Sequence, residues 1–304
     1  LADGPKRLSD LRSELGGPAQ STLRGILAKL VEIGALTRGL GDRPSVLAYG
    51  LTPFGEELLL AADAVEAWLG LAPDGPIALE SAPAKVAIKA LVGGWASTVV
   101  RALAARPLTL TELDKLIDGY TYPALERRLS AMRHAGQIEL GPNGNGSKGR
   151  QYTVSPWLRL GIGPLAVAAR CERKHMANAT APITRIDVES AFLLVTPLLR
   201  LDAGVSGTCQ LAVEAGSGDS RQPWAGAQVT LEKGSVSSCL ARLEPRPENS
   251  VTGPAAAWLD TVIGRAPDLL CFGGDGDLGR EIVEGLHDVL FRVFAPPQSP
   301  SRLS

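Results

Sequence analysis

Three histidines, four cysteines and one glycine-rich turn are the residues from which catalysis, metal binding or cofactor binding would have to be built. His134, His175 and His287 have no carboxylate or cysteine at metal-ligand spacing, and no Gly-x-Ser-x-Gly elbow occurs. Cys171, Cys209, Cys239 and Cys271 lie far apart without a CxxC pair, the usage of a reducing compartment, which predicts a cytoplasmic protein without a disulfide scaffold. Gly274-x-Gly276-x-x-Gly279 has the spacing of a dinucleotide fingerprint and falls between strand-like and helix-like residues. Asp275 and Asp277, however, stand where a pyrophosphate needs room, and no second strand of a βαβ unit follows. Asp277 is expected to cap the last helix instead, at its positive end. These residues predict no enzyme, no catalytic residue, no cofactor and no metal.

A different chemistry is spread over the first two thirds. Polar side chains at the start of a helix can read base edges, and basic groups beside them can hold phosphates. One such set is Gln20, Ser21, Thr22 and Arg24, with Arg38 and Arg43 further on. A second is Thr121, Tyr122, Arg127 and Arg128, with Lys148 and Arg150. The net charge of −1 hides an asymmetry that suits them. Residues 1–179 carry 21 Lys+Arg against 17 Asp+Glu, whereas residues 180–304 carry 10 against 15. A positive front and a negative back fit a chain whose last domain does not touch a polyanion.

The elements that must position these sets are duplicated. At an offset of 102 residues Leu8 falls on Leu110, Leu11 on Leu113, Leu23 on Leu125, Leu27 on Leu129, Gly34 on Gly136 and Leu36 on Ile138. One inserted residue later, Tyr49-Gly-Leu-Thr-Pro-Phe54 falls on Tyr152-Thr-Val-Ser-Pro-Trp157. Each copy reads as helix, turn, helix, hairpin, helix. Ser9 and Thr111 are expected as N-caps, with Gly16-Gly17 and Asp118-Gly119 as turns. The second helix buries Leu23, Leu27 and Leu30, or Leu125, Leu129 and Met132, and ends at Gly34 or Gly136 in the left-handed cap position. Short strands follow at 35–38 and 137–140, with partners at 45–51 and 151–154. Apolar helices are predicted over 54–69, 85–101 and 157–172.

This order resembles the winged helix-turn-helix fold. Leu1-Ala-Asp-Gly-Pro-Lys-Arg7, Leu8-Ser-Asp-Leu11, Gly34-Ala-Leu-Thr-Arg38 and Tyr49-Gly-Leu-Thr-Pro-Phe-Gly55 resemble the HxlR family of bacterial transcription regulators. The resemblance covers residues 1–178 and implies binding of double-stranded DNA, with the two residue sets above at the interface. It also implies a first helix before copy one, which here opens at Leu1, like the one copy two has around Val92-Gly-Gly-Trp95. An Arg precedes the central Leu of the second helix in the family pattern. Arg128 keeps it before Leu129; Ile26 stands there in copy one. Because such regulators pair two chains, the duplication predicts a monomer acting as a pseudo-dimer, with the three apolar helices packing copy on copy, or else a homodimer.

From residue 183 strands are expected at 192–201, 208–215, 227–231 and 236–243, then a helix at 254–263, a strand at 269–272 and a helix at 278–294. Trp258-Leu-Asp-Thr-Val262 followed by Gly273-Gly-Asp275 resembles the sterol carrier protein type two fold, which implies an apolar tunnel. Alternating Cys209, Leu211 and Val213, with Val229 and Leu231, would line it and take a hydrophobic small-molecule effector; the same spacing describes an ordinary sheet core. The expected fold class is α+β: winged helices at 1–82 and 83–178, a sterol-carrier-like domain at 179–298, and a tail at 299–304. No apolar run reaches the roughly 18–20 residues of a membrane span. The competing function is a ligand-sequestering or carrier protein whose winged helices bind protein rather than DNA.

Overall fold

Gly34 and Gly136 have φ of +79° and +67°, and each ends its helix with the same pair of bonds. The Ala35 amide donates back to Leu30 O and the Gln137 amide to Met132 O, both at 2.9 Å, while the glycine amides reach Val31 O and Arg133 O. Side chains pay heavily for that left-handed turn, which glycine adopts freely. The computed structural model describes residues 1, 3–40, 47–117, 119–141, 149–176, 183–214, 223–266 and 269–291. Arg43, Asp118, Lys148 and the tail at 299–304 lie outside them.

The fold is mixed α and β, and the duplication is carried into it element by element. The first repeat runs β1 (Lys6–Arg7), α1 (Leu8–Glu14), α2 (Gln20–Glu32), β2 (Leu36–Leu40), β3 (Leu47–Leu51) and α3 (Pro53–Gly70). Two helices, α4 (Ala82–Val92) and α5 (Gly94–Ala105), precede the second: β4 (Leu108–Thr109), α6 (Leu110–Leu116), α7 (Tyr122–His134), β5 (Ile138–Leu140), β6 (Gln151–Val154), α8 (Pro156–Leu160) and α9 (Ile162–His175). Each repeat closes a small antiparallel sheet, in order β1-β3-β2 and β4-β6-β5. The strands β1 and β4, absent from the sequence reading, pair across the hairpins, with Lys6 opposite Tyr49 and Leu108 opposite Tyr152.

A hydroxyl latch recurs where the last helix leaves each hairpin. Thr52 Oγ1 donates to Gly34 O at 2.6 Å and accepts the Gly55 amide. Ser155 Oγ donates to Gly136 O at 2.6 Å and accepts the Leu158 amide. One side chain thus caps a new helix and satisfies a carbonyl at the end of the old one.

The remaining chain forms α10 (Arg185–Val195), β7 (Gly207–Glu214), β8 (Trp224–Glu232), β9 (Ser235–Leu240), β10 (Asn249–Pro254), α11 (Ala255–Gly264), β11 (Cys271–Gly273) and α12 (Asp277–Phe291). The sheet order is β11-β10-β7-β8-β9, with β10 parallel to β7. Val188, Phe192, Leu211, Val229, Trp258, Ile282 and Leu286 fill its core, and Trp258 Nε1 donates to Ala212 O at 2.9 Å.

Several expectations are corrected. Residues 192–201 are not a strand: α10 runs to Val195 and a 3₁₀ turn, Thr196–Leu198, follows. Thr184 caps α10, its hydroxyl taking the Asp187 amide while Asp187 accepts the Thr184 amide. The helix expected over 85–101 is two, α4 and α5, separated at Gly93. The one over 157–172 is α8 and α9, meeting at Gly161. Ser9 and Thr111 are inside their helices; Arg7 and Thr109 hold the cap positions. Asp277 is the first residue of α12, and the preceding Asp275 accepts its amide at 3.2 Å.

By contacts the chain divides into two units, Leu1–Asp63 with Val167–Asn178, and Ala64–Ala166 with Ala179–Ser304. The first is cored by Leu11, Leu23, Leu27 and Leu36, with a second cluster of Ala35, Phe54 and Cys171. In it Lys174 and His175 both reach the Glu57 carboxylate, and that contact with Lys174 holds Glu57 below the usual carboxylate range. In the second unit Trp68 stacks on Trp157, rings 5.1 Å apart, and each indole N–H donates to the other residue's carbonyl at 2.9 and 3.0 Å. Among the described residues no single helix is long and apolar enough to cross a membrane; α4 and α5 reach that length only as a bent pair.

Candidate nucleic-acid interface

The helices α2 and α7 bury one stripe each, Leu23 and Leu27 in the first, Leu125, Leu129 and Met132 in the second. What remains faces outward. Gln20, Ser21, Thr22 and Arg24 are exposed along the start of α2, and Arg38 is exposed on β2 opposite Tyr49. Thr121, Tyr122, Arg127 and Arg128 are exposed along the start of α7, and Arg150 is exposed just before β6. The two helices share a further property: neither N-cap, Ala19 or Thr121, makes a side-chain cap bond, and neither first turn holds an acid. Helices α4, α6, α8 and α10 are capped by a serine or threonine oxygen. Amides left uncapped at a helix N-terminus favour an anion.

The second repeat is the more basic and the more organised. The Arg128 guanidinium lies 4.5 Å over the Tyr120 ring, a cation–π arrangement that orients the group. Arg127 lines a shallow groove of about 360 Å³ with Pro123, Glu126, Ser130, Arg133 and Tyr152. Tyr120, Ser130, Arg133 and Tyr152 join this face beyond the interface residues expected from the sequence. Helical spacing from Arg127 points to Ser130, but Tyr120 and Tyr152 reach the face only through the turn and the hairpin. In the first repeat Ile26 is half exposed on α2, where the second repeat has Arg128.

The five residues expected to line a tunnel lie on β7 and β8 with Cys209 opposite Val229. Cys209, Leu211, Val213, Val229 and Leu231 are all buried within the sheet core. Burial pushes the Cys209 thiol up to about 12, so it stays protonated. The glycines of the fingerprint have structural duties. Gly274 and Gly276 turn with positive φ, and a Cβ on Gly279 would stand 2.8 Å from Val251. Strand β11, which precedes them, runs antiparallel to β10, unlike a dinucleotide-binding crossover. His134 Nδ1 sits 2.7 Å from Ser130 O and His287 Nδ1 2.7 Å from Val262 O. Among the described residues no cluster of His, Cys, Asp or Glu is grouped to hold a metal. The chain matches no protein-family model and no curated protein sequence.

Proposed function

We propose that the protein is a transcription regulator that binds double-stranded DNA through two winged helix-turn-helix modules of the HxlR type, α2 and α7 being the recognition helices. The observation that carries this reading is the shared character of those helices: an exposed polar start, no side-chain cap, no first-turn acid, and arginines alongside. The three-stranded antiparallel sheet that recurs in both repeats supports it. Each module supplies one recognition helix, so one chain acts as a pseudo-dimer. The third domain, α+β and sterol-carrier-like in this reading, is the sensor for a small apolar effector. Its core is packed around Cys209 and Leu211, so such a molecule must displace side chains to enter. The half-exposed Ile26 favours the second reading, a protein-binding role, for the first module alone.

Fluorescence anisotropy on duplexes from the protein's own upstream region tests the assignment. Arg128→Ala should weaken binding to all sequences and reduce the salt slope by about one unit. Gln20→Ala or Arg24→Ala should change preference among sequences, by about 1–3 kcal/mol at the affected base pair. Affinity unchanged by Arg128→Ala from low to moderate salt rejects the interface.

A further inference from the structure

The five-stranded sheet has a second face. Opposite its core, Gln210 and Ala212 on β7 and Thr252 on β10 form a floor, and residues 241–246 fold over it. Three bonds hold that segment down: Gln228 Nε2 to Pro245 O at 3.1 Å, Arg242 Nε to Gln228 Oε1 at 3.0 Å, and Arg246 Nη2 to Ser250 Oγ at 3.3 Å. Between segment and floor a groove of about 630 Å³ remains open, within the size range of small-molecule sites.

Its lining is chemically particular. Arg185, Arg242 and Arg246 face it, with Glu244 the acid among the described lining residues and Glu189 paired to Arg185. This cationic lining sits in a region, 180–304, with 10 Lys+Arg against 15 Asp+Glu, so general surface charge does not explain it. Arg185 and Arg242 are already oriented, by Glu189 at 2.7 Å and by Gln228. Trp224 contributes an indole that is 38% exposed at the groove's edge. On the floor, Gln210 is only 7% exposed, and its Oε1 has no hydrogen-bond partner among the described residues. A buried acceptor without a donor is unfavourable, and its residue is part of the groove's floor.

We propose that this groove binds a small planar aromatic acid carrying a ring hydroxyl or amine. The carboxylate is held by the arginines, the ring lies against Trp224, and the hydroxyl or amine donates to Gln210 Oε1. Guanidinium groups suit a planar carboxylate, and an indole edge suits an aryl ring. The site is separate from the apolar core and does not depend on DNA binding.

Calorimetry on the full chain without DNA tests it, with 4-hydroxybenzoate, benzoate, phenol and inorganic phosphate as probes. 4-Hydroxybenzoate should bind, benzoate at least tenfold more weakly, and phenol and phosphate not measurably. Arg246→Gln should weaken 4-hydroxybenzoate at least tenfold. Gln210→Met should melt no lower than the parent, since it removes an unpartnered acceptor, yet bind 4-hydroxybenzoate and benzoate equally. A merely structural Gln210 would leave that selectivity untouched. Failure of 4-hydroxybenzoate to bind, phosphate binding as well as it does, or unaltered affinity in Arg246→Gln overturns the proposal.

Discussion

In the first repeat the stripe of α2 rests on a shallow cluster, Leu11, Leu23, Leu27 and Leu36. In the second the matching stripe of α7 lies over a core that continues through Leu103, Leu113 and Leu158 to Trp68, Ala87 and Leu194. The backbone frame is the same in both, down to the latch distances at Thr52 and Ser155. Equal local geometry therefore stands on unequal support. Local opening is governed by how much apolar contact a segment must break, so the first repeat should open more readily than the second. The pattern of surface groups runs the same way: Arg128, ordered over Tyr120, belongs to the deep repeat, and exposed Ile26 to the shallow one.

The largest expected effect is at the tryptophan pair. Trp157→Ala, in the second repeat, removes a buried ring, its stack and an indole bond to Trp68 O. A loss of about 3–5 kcal/mol in denaturant unfolding is expected, against about 2–3 for Leu27→Ala in the shallow core. Equal losses at the two sites would erase the distinction. Next comes the latch. Ser155→Ala should cost about 1–2 kcal/mol, since Ser155 is 1% exposed and leaves the Gly136 carbonyl unpaired. Thr52→Ala should cost less, because water can reach the half-exposed site; the same measurement compares them.

The smallest effect sharpens the contrast at the first helices. Thr109 Oγ1 accepts the Glu112 amide and Glu112 accepts the Thr109 amide, whereas Arg7, at the equivalent place, has no acceptor to offer. Thr109→Ala should cost about 1 kcal/mol and Arg7→Ala under about 0.5. The bond from the Thr109 amide, with Arg106 beside it, lowers Glu112 from 4.5 to about 2. A carboxyl depressed on folding stabilises above its unfolded value and stops doing so as pH falls through its folded one. The advantage of the parent over Glu112→Gln should therefore be full above about pH 5 and fade between about pH 4.5 and 2.

What could be read from the sequence was what repeats or alternates. The second helices, the glycine stops and the hairpins announced themselves because two copies agreed. The residues at 192–201 did not, since a helix buried on two sides presents the same unbroken apolar run as an inner strand. The signal that distinguishes them is Thr184 with Asp187 three residues on, a capping pair that opens a helix. Strand β10 has no counterpart among the expected strands, since Gly253 and Pro254 are poor strand formers and Pro254 was expected to open a helix, although β10 pairs with β7 over its whole length. The polar starts of α2 and α7 were legible as residue types, but their missing caps were not, because a cap is a bond and not a composition. The groove under residues 241–246 left no trace in the sequence: its arginines and Gln210 are scattered over 62 positions, on a helix, a strand and a connecting segment, and meet only in the folded chain.

Helix α10 lends Val188, Phe192 and Val195 to the sheet's core and Leu193 and Leu194 to the core of the second repeat. Arg159 fastens it by donating to Leu193 O at 2.6 Å, and Arg101 pairs with Asp187 at 2.9 Å. The seam between repeat and sheet is thus no place to cut the gene. Expressed alone, the C-terminal third would carry a bare leucine face and self-associate, whatever ligands were offered to it. Inherited as a joined piece, the two parts must also melt, mutate and be replaced together, so recombination that swapped the sheet region for another would have to bring its own helix to cover the second repeat.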